Sequence, residues 1–314
     1  MTKNIHIEHP EDSILTGDLS VLDAFLLPLL LSLKIDGSPS IVWGRNPATG
    51  LQFVGTKSVF NKNKILICET PSDIEKHYAH KPALLQILMA CMAYLPITKN
   101  IYQGDFIGFG GAKNYRPNTL TYKFPEIVKE EIIIAPHTKY FAVNDLRDAI
   151  AMPLVDKLEN SRVKFIQPTA WVHDSNEDDR TDAFYELCTE VEYIQNMATA
   201  VKFVDEKTAK KIKINLNYLI RNGLEINPAD FDDDGNYGSS NLIELWCAVN
   251  ELKLRALDYC RDNADFETCV MGDPEPIQGE GYVMISRFGY FKLVDRREFS
   301  YNNFSNSNRK FATA

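Results

Sequence analysis

The sequence predicts an α+β protein: a body of antiparallel strands made from both ends of the chain, interrupted by a large helical stretch. Short apolar runs broken by Gly, Pro and Asn fill residues 41–109 and return at 277–294, which is strand-and-turn chemistry. Between about residues 145 and 270 the apolar positions shift to spacings of three and four, the mark of amphipathic helices. With 314 residues, 45% hydrophobic and 25% charged, the chain has the composition of a globular protein and can bury a substantial core.

The first helix is expected from Ser20 to Leu30, bounded by Pro28, within an apolar region that continues to Leu33. Ile41-Val42-Trp43 and Leu51 to Val54 flank Asn46-Pro47-Ala48-Thr49-Gly50, a hairpin signature, and Ile65 to Cys68 is a further strand candidate. Pro82 opens a helix with Leu84, Leu85, Leu88, Cys91, Met92 and Leu95 at helical spacing, and Pro96 closes it. Strand sequence returns at Ile101 to Phe109, then at Glu131 to Ala135, ended by Pro136. Helices are expected at 145–160, 181–204, 206–221 and 241–261. The second carries Phe184, Leu187, Val191, Ile194 and Ala198 on one face; the last carries Leu242, Leu245, Trp246, Val249, Leu252, Leu257 and Tyr259. Gly281 to Ser286 and Tyr290 to Val294 read as a closing hairpin, and the last dozen residues, rich in Asn and Ser, as a mobile tail. The expected division is a body of residues 1–144 and 271–314 around a mainly helical insertion, 145–270, a candidate acceptor-binding module.

A formal charge of −9 excludes a bulk, sequence-blind nucleic-acid binder and leaves room for a local basic surface. Cys68, Cys91, Cys188, Cys247, Cys260 and Cys269 show neither a Cys-x-x-Cys pair nor zinc spacing and read as reduced thiols. The most apolar stretch, Val21 to Leu33, contains Asp23 and Pro28 and is too short to span a bilayer. The acidic N-terminal region lacks the basic start of a signal peptide, so a cytoplasmic location without membrane association is expected.

Lys34-Ile35-Asp36-Gly37, followed by Ser38, stands out because a lysine closing an apolar segment can serve as a nucleophile aimed at a phosphate. Such a match arises by chance in roughly one chain in fifteen, and Asp-Gly is also ordinary turn chemistry. Its weight comes from the segments that succeed it along the chain: Thr56-Lys57-Ser58, Tyr102-Gln103-Gly104-Asp105-Phe106, Glu280-Gly281-Tyr282-Val283 and Phe291-Lys292-Leu293-Val294.

This series resembles the covalent nucleotidyltransferase superfamily of ATP-dependent polynucleotide ligases and mRNA capping enzymes, and most of all the phage RNA ligases. The resemblance implies an adenylation-domain fold of antiparallel sheets. It makes Lys34 the nucleophile that takes AMP from ATP, with Asp36 and Gly37 beside it. Glu280, with Asp36, would hold Mg²⁺ or Mn²⁺. Lys292 would contact the α-phosphate, Lys57 a phosphate of the nucleotide or acceptor, and Asp105 the ribose hydroxyls. The acceptor would be a 5′-phosphorylated nucleic acid, RNA favoured over DNA, joined to a 3′-hydroxyl. Two departures accompany the match: Asp105 replaces the commoner Glu, and Lys292 lacks a second lysine, a place Arg287 or Arg296 could take. Phe141, Tyr140 and His137 are candidates for stacking on adenine. Only some twenty residues follow Lys292, so no C-terminal OB-fold is expected. An adenylyltransferase acting on a protein or small molecule, and a degenerate fold kept for binding, remain alternatives.

Weaker signals read as ordinary structure. Asp230 to Asn236 opens like a calcium loop but has Asn241 where a bidentate Glu belongs, and reads as an acidic turn ahead of a helix. His77 and His80 read as surface residues, and Gly108 to Gly111 as a strand bend. Lys207, Lys210, Lys211 and Lys213, with Lys202 nearby, form the most basic cluster, either a solvated face or an RNA contact.

Overall fold

The computed structural model describes residues 8–26, 30–154, 156–167, 169–171, 182–232, 239–259, 266–270, 273, 275–277 and 279–301. In chain order the strands are β1 (Leu30–Leu33), β2 (Ser40–Arg45), β3 (Gln52–Gly55), β4 (Ile101–Phe109), β5 (Asn114–Tyr115), β6 (Leu120–Lys123) and β7 (Ile132–Phe141). They continue as β8 (Ile150–Pro153), β9 (Val163–Phe165), β10 (Thr169–Trp171), β11 (Glu267–Val270), β12 (Pro276–Ile277), β13 (Tyr282–Ser286) and β14 (Gly289–Leu293). The helices are α1 (Pro10–Ser13), α2 (Ser20–Phe25), α3 (Pro71–Tyr78), α4 (Pro82–Tyr94), α5 (Asp182–Ala198), α6 (Glu206–Arg221), α7 (Ser240–Tyr259) and α8 (Arg296–Ser300). The expected α+β class with antiparallel sheets is what the chain adopts.

Compact packing divides the chain into one unit of residues 1–6, 35–168 and 264–279, and another of 7–34, 169–263 and 280–314. The chain thus changes unit between Lys34 and Ile35 and again between Gly279 and Glu280. This is not the division expected from sequence, in which both chain ends joined one body and residues 145–270 formed the other.

In the first unit, β3, β2, β4, β7 and β8 lie in that order in one antiparallel sheet, with β9 parallel to β7. The hairpin β2–β3 forms as its turn residues predict, with Trp43 opposite Val54. Helix α4 starts at Pro82 and ends where Leu95, preceding Pro96, turns extended. Its Leu88 and Cys91 pack with Ile41, Trp43, Tyr102 and Phe106 into a buried cluster. Helix α3 has a complete capping box, Thr70 with Asp73, and Pro71 in its first turn. A second sheet takes the order β12-β11-β6-β5.

Three expectations fail here for physical reasons. Among the described residues of 145–160 no α-helix forms: Leu146–Asp148 make one 3₁₀ turn, and β8 pairs with β7 instead. Pro153 and the available edge of β7 outweigh the helix-forming Ala and Leu residues. Ile65 to Cys68 contributes only an isolated bridge, Val54 to Cys68. Strand β7 runs through Pro136 to Phe141, because the missing proline N–H falls at an irregularity: Gly104 pairs with Pro136 but Gln103 pairs with Thr138. His137 is the extra residue of this bulge.

The second unit joins the sheet β10-β1-β13-β14 to the helices. The predicted helix at 20–30 ends at Phe25, and Leu30–Leu33 is strand β1. Helix α6 has the predicted bounds, and Asp205 caps it by accepting from the Lys207 and Thr208 N–H groups at 2.8 and 3.0 Å. Its Ala209, Ile212, Leu216 and Ile220 pack with Leu15, Phe231, Leu242 and Trp246. Helix α5 is shorter than expected, and its Leu187, Val191, Ile194 and Ala198 are buried. The tail expected after Tyr301 and most of the acidic turn, residues 233–238, lie outside the described residues.

Candidate active site

The second unit holds Lys34, Glu280 and Lys292. Leu33 pairs with Tyr282 across β1 and β13, and the Lys34 N–H donates to the Gly281 carbonyl at 2.7 Å, extending the ladder by one residue. Glu280 is therefore set beside Lys34 by strand register. The Lys34 ammonium donates to Glu280 Oε2 in a close ion pair, with Glu280 only 4% exposed. The Phe299 ring lies under Lys34 Nζ at 5.4 Å from its centroid, within cation–π range. In the hairpin β13–β14, Val283 pairs with Lys292 and Tyr282 with Leu293. Tyr282, Met284, Phe291 and Leu293 form the buried face, so alternation puts Val283 and Lys292 on the other. Continuing β1 by one residue places Lys34 on that same face as Lys292. The Lys292 N–H is anchored to the Glu8 carbonyl at 2.9 Å.

Four other predicted residues belong to the first unit. Asp36 is fixed through its backbone: its N–H donates to Tyr122 Oη at 3.0 Å, and its carbonyl accepts from Tyr122 Oη at 3.1 Å and Asn118 Nδ2 at 3.2 Å. Tyr122 is itself buried and edge-on to Phe266. The Gly37 N–H donates to Asp105 Oδ2 at 3.4 Å, and the Ser38 N–H to the Phe106 carbonyl at 3.0 Å. Gly37 is pressed against this strand: an added Cβ would lie 2.6 Å from Phe106 O and 2.8 Å from Ile107 Cδ1.

Asp105 sits in the middle of β4, opposite Ser40 at the start of β2, and the bulged His137 brings Nε2 to 3.7 Å from Asp105 Oδ1. Burial alone would raise the Asp105 carboxyl, but His137, the Gly37 N–H and Ser40 outweigh it and hold it below the usual carboxylate range. A relay backs this carboxylate, in which Tyr140 donates to Gln103 at 2.6 Å and Gln103 to Ser40 Oγ at 2.9 Å. Lys57 follows β3, whose Gly55 pairs with Val42, so it leaves the sheet at the end where Ser40 and Asp105 lie; its side chain is exposed.

Of the candidates for stacking on a base, Tyr140 is a core residue packed on Phe60, its hydroxyl committed to Gln103 and pushed up to about 12 by burial. Phe141 is 55% exposed, and His137 alone touches Asp105. Arg296 cannot stand in for a second lysine beside Lys292, because it is buried against Glu11 and Asp12 at 3.1 and 2.9 Å. Arg287 is exposed and stacks on Phe288. Sequence reasoning missed Phe299, Tyr122 and Asn118, which no local pattern marks.

Among the described residues, no three His, Cys, Asp or Glu side chains cluster to hold a metal by themselves, and no helix is long and apolar enough to cross a membrane. Cys68, Cys91 and Cys269 are buried free thiols, and burial raises the first two. A groove of about 770 Å³ in the first unit, between Gln86–Tyr94 and Gly110–Glu131, contains none of the predicted site residues.

The profile of a family of unknown function, DUF6267, matches residues 4–234 and 229–309, and the chain belongs to that family. No curated protein and no solved structure matches it.

Proposed function

We propose that this member of a family of unknown function is an ATP-dependent, RNA ligase-like adenylyltransferase that carries AMP on Lys34. The observation that supports the reading best is the Lys34–Glu280 pair. These residues stand 246 positions apart, and the resemblance gives them separate roles, yet they share one ion pair where β1 ends and β13 is about to begin, β13 being the neighbour of the strand that carries Lys292.

As an ammonium, Lys34 has no lone pair with which to attack. Transfer of one proton to Glu280, already in hydrogen-bond contact, and from there to water frees it. Nζ then attacks the α-phosphorus of ATP; an N–P bond forms and Nζ gives up its second proton to water, the P–O bond to the β-phosphate breaks, and pyrophosphate leaves with the electron pair. Lys292 offsets the charge that builds on the α-phosphoryl oxygens. The 5′-phosphate of an RNA displaces Lys34 from the adenylyl group, and a 3′-hydroxyl then attacks the activated 5′-phosphorus and releases AMP. Asp105, kept ionised, is an acceptor suited to the ribose hydroxyls. Lys57, exposed at the same end of the sheet, takes a phosphate of nucleotide or acceptor.

A divalent ion, Mg²⁺ or Mn²⁺, neutralises phosphate charge when bound. Glu280, paired with Lys34 in the second unit, is a carboxylate that would hold it, which fits an ion that takes one or two protein carboxylates and completes its shell with substrate phosphates and water.

The test is incubation with Mg²⁺ and α-labelled ATP, then with 5′-phosphorylated RNA. The reading expects label on the wild type, none on Lys34→Ala, and movement of the label to RNA. Label that stays on protein with both RNA and DNA points to another acceptor, a protein or small molecule. No label with ATP or GTP points to a binding protein.

A further inference from the structure

We infer that the outward face of α6 is a binding surface for single-stranded RNA. This deepens the proposed ligase function by naming where its acceptor is held, and it rests on that function for the choice of nucleic acid. The roll of the helix is fixed by its buried residues, Ala209, Ile212, Leu216 and Ile220. At 100° per residue the opposite side carries Lys207, Lys210, Lys211, Ile214, Tyr218 and Arg221, all exposed. They form one stripe about 21 Å long, from fourteen rises of about 1.5 Å between Lys207 and Arg221.

Two features separate this stripe from an ordinary solvated helix face. It holds four cations and no carboxylate in a chain of formal charge −9, where acids outnumber bases 43 to 34. Lys213, paired with Glu8 at 3.4 Å, projects to the side of the stripe. The stripe also exposes two large apolar side chains between its cations, Ile214 at 63% and Tyr218 at 60%. Solvation explains the lysines but not these. Cations that track phosphates, alternating with an aromatic on which a base can stack, are the two parts a single-stranded polynucleotide site requires. A duplex hides its base faces and would leave Tyr218 unused. Lys202, exposed just before the helix, extends the basic track.

The experiment is fluorescence anisotropy of the full chain with a short labelled single-stranded RNA, and with the same RNA as a duplex, at several salt concentrations. The wild type is expected to bind the single strand in preference to the duplex. Tyr218→Ala should weaken binding about 5- to 150-fold, while Tyr218→Phe keeps it, since stacking needs the ring and not the hydroxyl. The double variant Lys207→Ala/Lys211→Ala should flatten the log-log salt slope by about 1.4, two cations at about 0.7 each. All these residues are exposed, and unchanged circular dichroism melts confirm that each variant folds. Absence of binding by the wild type, equal binding of duplex, or an unchanged affinity in both the Tyr218→Ala and double-lysine variants overturns the inference. Lys34→Ala should bind RNA as the wild type does. RNA binding through α6 without adenylylation would therefore defeat the proposed activity alone, and adenylylation without α6-dependent binding would defeat this inference alone.

Discussion

Gly281 does two jobs beside Lys34. Its φ of +98° suits glycine, and an added Cβ would lie 2.3 Å from the Leu293 carbonyl oxygen, while its own carbonyl holds the Lys34 N–H. Gly281→Ala should therefore cost about 1–3 kcal/mol and displace Lys34 from its register with Glu280. Urea unfolding and α-labelled ATP together check this; an unchanged midpoint with full labelling would show that the register does not depend on this glycine. At this scale only part of the arrangement was legible: Lys34, Glu280 and Lys292, carried by neighbouring strands, could be named because residue order carried the resemblance, whereas Asp36 falls in the other unit. The Asp105–His137 contact could not, since it depends on a bulge that only strand pairing creates. Phe299 was equally hidden, because a ring beneath a cation far off in sequence leaves no local trace.

Helix α7 is held by a buried ionic group rather than by its apolar stripe alone. Lys253, fully buried, donates to Glu11 at 2.7 Å and to Asn250 at 2.9 Å. Arg296 of α8 meets Glu11 and Asp12, and Trp246 Nε1 donates to Asp12 at 3.1 Å. Removing one member leaves the others short of a partner in a low dielectric, so Lys253→Met should destabilise by about 3 kcal/mol despite its similar volume. Chemical denaturation reads this directly, and a loss below about 1 kcal/mol would mean that the ions contribute little beyond packing. Long helical periods revealed α4, α6 and α7, and turn residues revealed the two hairpins. The misses share a cause. Strands β5, β6, β9 and β11 are two to four residues long, too short for a period to register. Residues 145–160 have helical composition, and pairing with β7 overrides it.

For the whole molecule, the two units respond differently to acid. His9 lies in the second unit, its imidazole lowered from 6.5 to about 2 by burial and by the nearby Arg296 and Lys253 charges. Because the folded value is depressed, the unfolded chain takes the proton first, and stability present above about pH 6.5 is lost as pH falls below it. Between about pH 7.5 and about pH 5.5 the second unit should lose about 1.4 kcal/mol. Asp105 in the first unit, depressed from 3.8, contributes stability that is lost only below that range. Chains retaining a single tryptophan, Trp43 in the first unit or Trp246 in the second, report the units separately by urea unfolding. Equal shifts in the two reporters, or an unaltered shift in His9→Gln, would contradict the assignment. The division itself was not legible, because the described residues of segments 8–34 and 280–301 are grouped with the helices through contacts distant in sequence. The central claim remains that Lys34 is a covalent nucleophile, and mass mapping of peptides after incubation with ATP and Mg²⁺ tests it most directly. One adenylyl group on the peptide containing Lys34, absent from Lys34→Ala and reversed by added pyrophosphate, is the predicted result; an unmodified Lys34 peptide, or an adduct on a different lysine, would contradict it.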